Sequence, residues 1–522
     1  MTHLCVPIFV ETLEQAARDV ALAAESGADV VELRIDGFED IPAAANLAAN
    51  SVIPVIATRR PVSEGGRSEE PTEERIRKLF EVGGDFGADT VDVEWEARSF
   101  VPVLANRGNA IVVPRIIVSS HDFTGRPARL TNVFAEMNAS GADVTKIVWM
   151  ARSIRDNLEV FELLQHRQKP TIALCMGEAG LISRVLAKKF GAFLTFASLR
   201  DESGTAPGQV TIADMKRLYR WDALSSSTKV YGVVGSPIMH SMSPAVHNAA
   251  FETVGHDGVY LPMLVNPGYE SFKAFMESFL AFAPLDLSGL SVTIPHKENA
   301  LRYLKEKGAE VEPLAAQIGA VNTIVIARDL KSQISDLKGI NTDYAAILDT
   351  ITTTLGIKHE QLAGKRVAII GAGGTGRTAV AALAACGATV VVYNRTKEKA
   401  DELAKEFDGR TGKVVSARLE KLCDSCCEIF INTTSLGMQP NVDASAFGDR
   451  QPKLAPETLV FDTVYNPVQT KLLKQAKAAG AITVGGAEMF VRQAARQFEA
   501  WTGHAAPVDV MRRVIEARLG NA

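Results

Sequence analysis

Eight short runs rich in β-branched and aliphatic residues recur through the first 220 residues: LCVPIFV from Leu4, DVVELRID from Asp29, SVIPVIATR from Ser51, TVDVEWE from Thr90, AIVVPRIIVSSH from Ala110, VTKIVWMA from Val144, PTIALCMG from Pro170 and AFLTFAS from Ala192. Between them lie amphipathic stretches such as ETLEQAARDVALAAESG and TEERIRKLFEVGGDFG, many of which end at glycine, as helices commonly do. Eight strand and helix units joined by short connections predict a (β/α)8 barrel rather than an open sheet. The prediction is also local, because such barrels keep their chemistry at the carboxyl ends of the strands. That filter selects Glu32 and Arg34 on the second run, Arg60 and Glu64 after the third, His121 after the fifth, Lys146 in the sixth, Arg184 beyond the seventh and Gln209 beyond the eighth.

Lys146 lies between apolar neighbours in a strand, so it must snorkel, pair with a carboxylate or face the barrel centre. Desolvation and nearby arginine charge would favour the neutral amine, the form that attacks a carbonyl to make a Schiff base. The competing reading is a structural lysine held by an acid. His121 in SSHDF can move a proton near neutral pH, with Glu64 to orient it, or it is a hydrogen-bonded structural residue. Arg34, Arg60 and Arg184 in one mouth repel unless an anion or carboxylates compensate, which points to an acidic substrate.

The full length of 522 residues suggests three or four domains. A hydrophobic content of 47%, a charged content of 22% and a net charge of −5 argue against wholesale disorder and against a phosphate-tracking nucleic-acid surface. Six cysteines in such a length make no disulfide framework, and Cys423, Cys426 and Cys427 lack a matching second ligand pair, so no metal is expected. The N-terminus lacks a signal-like pattern and no run approaches a membrane span, so the expectation is a chain without membrane partners, cytoplasmic or, as a mature plant chain, stromal. WDALSSSTK from Trp221 reads as a linker.

Beyond it, KRVAIIGAGGTGRTAVAALAACGATVVVYNR from Lys365 is a strand, a Gly-rich turn, a helix and a second strand. Gly371, Gly373 and Gly376 satisfy G-x-G-x-x-G in the βαβ context that a dinucleotide fingerprint needs, so backbone amides and the helix N-terminus meet a pyrophosphate. The second strand ends in Asn394, Arg395 and Thr396, followed by Lys399, where an NAD protein usually carries an acid. Two cations there attract a 2′-phosphate, so NADP is the expected cofactor. Ser241 and Ser243, ahead of an apolar helix, taken alone read as helix caps.

VELRID, RPVSEGG, SSHDF, VTKI, MGEAGLISR and TAPGQ stand in the order and spacing of the type I 3-dehydroquinate dehydratases, which residues 1–220 resemble. The resemblance implies that Lys146 forms the imine with the ketone of dehydroquinate and that His121, partnered by Glu64, removes the neighbouring proton and protonates the leaving hydroxyl. Glu32, Arg34, Arg60, Arg184, Thr205 and Gln209 are the implied substrate-binding set, with Arg184 gripping the carboxylate. Thr205 stands where members often carry Ser; the hydroxyl survives.

GSPIMHSMSPAVHN, SVTIPHKENA, GAVNTI, GINTDYAAI, NTTSLGM, DTVYNP and GGAEMFVRQA together resemble the shikimate dehydrogenase family over residues 229–522. The resemblance implies a substrate lobe at 229–340, a Rossmann NADP-binding lobe at 341–485 and helices at 486–522 that return to the substrate lobe. It implies that Ser241 and Ser243 hold the substrate carboxylate, that Thr293, Asn322, Tyr465 and Gln493 contact the ring substituents, and that Lys297 and Asp343 form the catalytic pair. The implied cofactor set is Gly371, Ala372, Gly373, Gly374, Thr375 and Gly376, then Asn394, Arg395, Thr396 and Lys399, then Thr433, Thr434, Ser435, Met438, Gly486 and Met489. Met242 departs from the common HSKSP, which leaves Lys297 as the motif-matched lysine.

The expected fold class is therefore α/β: an N-terminal (β/α)8 TIM barrel followed by a two-lobed dehydrogenase. The expected function is a lyase and an oxidoreductase acting in succession on small carboxylated rings, dehydroquinate, dehydroshikimate and shikimate. Two alternatives compete. A quinate dehydrogenase in the second half is disfavoured by Ser243, where quinate-preferring members often have Gly. A non-catalytic metabolite sensor is disfavoured because Lys146, His121, Lys297 and Asp343 are all present.

Overall fold

The computed structural model describes residues 2–83, 87–102, 114–201, 204–329, 334–409 and 412–520. The chain divides into two compact units, Met1–Ser241 with Asp257–Leu287, and Met242–His256 with Ser288–Ala522.

In the first unit the eight predicted runs become eight strands: β1 His3–Phe9, β2 Val30–Arg34, β3 Val55–Thr58, β4 Thr90–Glu94, β5 Arg115–Asp122, β6 Val144–Met150, β7 Thr171–Met176 and β8 Leu194–Phe196. They pair in parallel in the order β7-β6-β5-β4-β3-β2-β1-β8. At the remaining seam β7 and β8 form no paired ladder among the described residues, and the Phe193 amide donates to the Thr171 carbonyl at 2.8 Å. The expected start of the fifth run at Ala110 lies outside the described residues, and β5 begins at Arg115. Alternation along β6 turns Val144, Lys146 and Val148 to the barrel interior, where Val144 and Val148 pack with Ile117, Ile172, Leu174 and Phe196.

The segment read as a linker is tied down. Lys188 Nζ donates to the Trp221 and Asp222 carbonyls, and Lys189 Nζ donates to those of Ser226 and Thr228. It leads into β9 Lys229–Gly235, which pairs in parallel with β10 Gly258–Leu264.

In the second unit, β11 Leu287–Val292, β12 Glu310–Val311, β13 Thr323–Arg328 and β14 Ile334–Ile340 assemble with β11 antiparallel to β13, β13 antiparallel to β14, and β12 parallel to β14. Six further strands, β15 Arg366–Ile370, β16 Thr389–Asn394, β17 Lys413–Arg418, β18 Ile429–Asn432, β19 Leu459–Asp462 and β20 Ile482–Val484, form a wholly parallel sheet in the order β17-β16-β15-β18-β19-β20. Apolar clusters centred on Val367, Ile369 and Val392 on one face, and on Ala368, Ile370 and Phe430 on the other, bury both sides. This explains why these strands read as continuous apolar runs instead of alternating ones.

Candidate active sites

The residues selected from the first half share one cavity at the carboxyl ends of the barrel strands, lined by Glu32, Arg34, Arg60, Glu64, His121, Lys146, Arg184, Thr205 and Gln209. Lys146 is 3% exposed. Its Nζ lies 2.8 Å from Asp92 Oδ2 and 3.4 Å from Glu32 Oε1, and 4.5 Å from the Phe196 ring centre. Two buried carboxylates sit against the nitrogen, so the two readings of this residue meet: the lysine is both central in the barrel and paired with acids.

Asp92 also takes Arg60 Nη2 at 2.8 Å and the Ser119 hydroxyl, which in turn accepts from Arg60 Nη1 at 2.6 Å. Burial opposes ionisation of Asp92, but Arg60 and Lys146 outweigh it and hold the carboxyl well below the usual carboxylate range. Burial likewise opposes ionisation of Glu32, while Lys146 and Arg34 pull its carboxyl below its ordinary value. His121 Nδ1 is 2.9 Å from Glu64 Oε2. Burial pushes Glu64 up to about 7 and drives the His121 imidazole well below its ordinary value, which keeps the ring neutral.

The three arginines separate once their partners are known. Arg34 Nη2 pairs with Asp36 Oδ2 at 2.6 Å, and Arg60 is taken by Asp92 and Glu64. Arg184 is 1% exposed, its Nε and Nη2 have no hydrogen-bond partner, and burial lowers it to about 10. Two of the three cations are thus balanced internally, and the call for an external anion comes from Arg184 alone. Over the mouth, the Thr205 amide donates to Gln209 Oε1 at 2.8 Å and Gln209 Nε2 donates to the Thr205 hydroxyl at 3.3 Å.

In the second unit, residues 46 positions apart meet: Lys297 Nζ is 2.7 Å from Asp343 Oδ2. Lys297 opens the helix Lys297–Glu306, and Asp343 lies in the first turn of the helix Thr342–Leu355. That helix is capped by the Asn341 side chain, which accepts from the Asp343 and Tyr344 amides. Asn322 is buried beside it: its Oδ1 accepts the Thr342 amide at 2.8 Å and its Nδ2 donates to the Thr342 hydroxyl at 3.0 Å. Thr293 precedes Lys297 by one turn, its carbonyl accepting the His296 amide. Gln493 lies with Gly486 and Met489 on the helix Gly486–Thr502. Tyr465 stacks edge-on against Phe490 at 5.8 Å.

Ser241 lies in the first unit, its amide donating to Ile238 O. Ser243 is the first residue of the helix Ser243–Val254 and the N-cap position falls on Met242, so neither serine stands at the N-cap itself.

At the fingerprint, Gly371 has φ +111, and a Cβ there would meet Thr434 Cγ2 at 2.7 Å and Thr433 Oγ1 at 2.8 Å. A Cβ on Gly376 would meet the Gly371 carbonyl oxygen at 2.2 Å. Gly373 and Gly374 face open space, and Gly373 caps the helix Gly374–Ala385 with no side chain over its amides. Asn394 Oδ1 accepts the Ala372 amide at 3.3 Å, and its Nδ2 donates to Thr396 O. Arg395 and Lys399 are exposed and make no ion pair among the described residues. Thr433 Oγ1 donates to Ile370 O and Thr434 Oγ1 to Asn432 Oδ1, so both hydroxyls hold the loop; Met438, whose amide donates to Ser435 O, is exposed.

Four family models match the chain. A model of type I 3-dehydroquinase matches residues 4–226, one of the shikimate dehydrogenase substrate binding domain matches 233–324, one of shikimate / quinate 5-dehydrogenase matches 354–464, and one of the shikimate 5'-dehydrogenase C-terminal domain matches 486–516. The chloroplastic bifunctional 3-dehydroquinate dehydratase/shikimate dehydrogenase of Arabidopsis thaliana is 38% identical over 97% of this chain and 83% of its own. The chain belongs to this bifunctional dehydratase/dehydrogenase family.

The dehydrogenase half also has separate relatives. An NADP(+) shikimate dehydrogenase of Methanosarcina barkeri is 39% identical over 55% of this chain and 97% of its own. A shikimate dehydrogenase solved with NADP+ superposes with TM-score 0.50 at 35% identity, covering 57% of this chain and 97% of that one. The Listeria monocytogenes shikimate 5-dehydrogenase, solved with shikimate and NAD, gives TM-score 0.50 at 30% identity over 56% and 98%.

Sequence reasoning missed Asp92, Ser119 and Gln497 in this dehydratase/dehydrogenase. Gln497, buried, accepts from the Ser291 hydroxyl at 2.9 Å and donates to the Thr323 hydroxyl at 3.0 Å, bracing β11 and β13 beneath the second site. Asp92 had one available signal: an acid alternating with valines in TVDVE faces inward on a barrel strand. Among the described residues, no helix is long and apolar enough to cross a membrane, and no group of three or more His, Cys, Asp or Glu is placed to hold a metal.

Proposed function

We propose that this chain catalyses two consecutive reactions on one carboxylated ring: dehydration of 3-dehydroquinate to 3-dehydroshikimate in the barrel, and NADPH-dependent reduction of that product to shikimate in the second half. As functional modules we assign the dehydratase to 1–220, the substrate lobe to 229–340, the NADP lobe to 341–485 and the closing helices to 486–522. The observation that carries the reading is the pair of long-range contacts, His121 with Glu64 at 2.9 Å in the cavity of Lys146, and Lys297 with Asp343 at 2.7 Å. A metabolite sensor has no use for either.

In the barrel, Arg184 receives the substrate carboxylate on its two unpartnered N–H groups. Lys146 Nζ gives up a proton and attacks the ketone carbon; that proton returns to the carbinolamine oxygen, which leaves as water, so a protonated imine remains. His121 Nε2, neutral because buried, takes a proton from the adjacent carbon while the electrons move into the imine. The same imidazolium returns the proton to the departing hydroxyl, and hydrolysis of the conjugated imine frees Lys146. Glu64 holds the Nδ1 side of the ring throughout.

In the second half the residues fit an NADP cofactor. The open approach at Gly373 and Gly374 admits a pyrophosphate to the helix amides, and the exposed Arg395 and Lys399, free of carboxylates, suit a 2′-phosphate. NADPH, when bound, supplies the hydride. Lys297 donates a proton to the oxygen that the reduction leaves negative, and Asp343 orients the lysine and accepts from the neighbouring ring hydroxyl. Ser241, Ser243, Thr293, Asn322, Tyr465 and Gln493 are assigned to the ring and its carboxylate. The chain acts in the cytoplasm or, as a mature plant chain, in the plastid stroma, on small-molecule partners and not on nucleic acid.

The test is to supply dehydroquinate with NADPH and identify the products by mass. Shikimate is expected; quinate alone would overturn the assignment of the second half. Borohydride added with dehydroquinate should trap the ligand on the peptide carrying Lys146, and a trapped adduct elsewhere would remove that lysine from its role.

A further inference from the structure

The helix that follows the glycine fingerprint is bound to the turn carrying the backbone partners of Lys297 and Asp343: Ile318 packs in one apolar cluster with Ala379, Val380 and Leu383 of that helix, and Arg377 adds a polar link. Arg377, one residue past Gly376 and in the first turns of the helix Gly374–Ala385, donates through Nε to the carbonyl of Ile318. Ile318 is the last residue of the short helix Pro313–Ile318, where carbonyls lack intrahelical partners and a cation is favoured. The helix ends in Gly319 at φ +83, and even a Cβ built there would stand 3.7 Å from Arg377 Nε and Nη2, so the guanidinium lies directly over the terminus. The other face of the fork is occupied: Nη1 donates to Glu406 Oε2 at 2.6 Å, Nη2 to Glu406 Oε1, and the guanidinium lies 5.2 Å from the Phe407 ring centre. A group so engaged is not available to a phosphate.

The residues after Ile318 hold both members of the second catalytic pair. The Val321 amide donates to the Lys297 carbonyl at 3.0 Å. The Ala320 carbonyl accepts from Asn341 Nδ2 at 3.0 Å, and the same Asn341 caps the Asp343 amide through Oδ1. Asn322 Oδ1 then accepts the Thr342 amide. Residues 318–322 therefore form one hydrogen-bonded turn with Arg377 at its start, the backbone of Lys297 at its middle and the helix of Asp343 on its flank.

We propose that Arg377 is a positioning residue for the reduction, fixing the dinucleotide-binding helix against the 318–322 turn and so setting the distance between the hydride donor and the atoms served by Lys297 and Asp343. On this assignment Arg377 acts through Ile318 and Glu406, not through a contact with substrate or cofactor. The inference rests on the reductase reading above, and wild-type reduction of dehydroshikimate by NADPH checks that reading independently of any variant.

The test uses the full chain. Arg377→Ala should lower kcat for reduction by about 10- to 100-fold, the scale of an ångström-level misplacement of reacting groups, while the Kd for NADPH stays within about threefold. The primary isotope effect with deuterated NADPH should rise as hydride transfer becomes limiting, a readout that a general loss of stability would not move. Dehydratase activity of the same chain should be unchanged. Arg377→Lys should recover part of kcat, since one ammonium reaches either Ile318 or Glu406 but cannot span both as a fork. Glu406→Gln, which weakens the fork and leaves the Ile318 bond, should fall between wild type and Arg377→Ala. A kcat and isotope effect equal to wild type in Arg377→Ala would overturn the proposal, as would a loss confined to NADPH Kd, which would make Arg377 a cofactor contact. If Arg377→Ala fails to bind NADPH at all, wild-type kcat in both Arg377→Lys and Glu406→Gln would overturn it.

Discussion

Replacing Asp92 by Asn removes one charge from the centre of the barrel and keeps its shape. Asp92 Oδ2 stands 2.8 Å from both Lys146 Nζ and Arg60 Nη2, and the residue is 1% exposed. At an effective dielectric of about 20, each contact at that distance is worth roughly 6 kcal/mol of Coulomb energy, partly offset by the cost of burying the ions. Losing one partner of a buried pair typically costs about 3–5 kcal/mol, because the remaining cations stay buried and uncompensated. Glu32, 3.4 Å from Lys146, and Glu64, 3.5 Å from Arg60, remain as partial counter-charges and place the loss toward the lower end of that range. At about 2–4 °C per kcal/mol for a domain of this size, the midpoint of barrel unfolding should fall by about 6–20 °C. The assay is residual activity after brief heating, following dehydration by the ultraviolet absorbance of the conjugated product and reduction by NADPH consumption on the same samples. The dehydratase midpoint should drop while the reductase midpoint holds. A dehydratase midpoint within about 2 °C of wild type would refute the reasoning, since it would mean that Arg60 and Lys146 do not depend on the charge of Asp92.

Two further outcomes follow from the same geometry. Glu64 titrates at about 7 and His121 stays neutral well below its ordinary value, so raising pH through about 7 ionises Glu64, which then accepts the Nδ1 proton and leaves Nε2 as the base. Dehydratase kcat/KM should therefore rise with pH through that region, and Glu64→Gln should abolish the rise and lower activity by about 100-fold; an identical profile in the variant would remove Glu64 from the coupled pair. Arg395→Asp should weaken NADPH binding by at least about tenfold and NADH binding far less, measured by fluorescence titration; equal losses would contradict a 2′-phosphate contact.

Much of the fold was legible because period and punctuation survive in one dimension. The eight barrel runs, the fingerprint in GAGGTG and the alternation that turns Lys146 inward all follow from local rules, and seven of the eight runs begin within four residues of their strands. The barrel site was legible for the same reason, since strand ends mark the mouth. What was not legible was how neighbouring charges would divide. Arg59 and Arg60 are adjacent, yet Arg59 turns outward to Glu70 at 2.6 Å and to the Ile35 carbonyl, while Arg60 turns inward to Asp92. The resemblance singled out Arg184 among the cations of the mouth without a physical reason; of Arg34, Arg60 and Arg184, it is Arg184 that has buried N–H groups without a partner among the described residues.

Sequence by itself determined the types of element, the places where glycine had to stand, and the chemical kinds of side chain that reach each strand end. These are local quantities, set by backbone sterics and by the repeat of two or 3.6 residues. The tertiary structure decided which charge answers which. Asp92 was invisible as a partner of Lys146 across 54 positions, Asp343 reached Lys297 only through two helix starts, and Arg377 gained its link to the Ile318 carbonyl across 59. Coulomb and hydrogen-bond energies depend on distance in space, so assignments of this kind exist only once the chain has closed on itself.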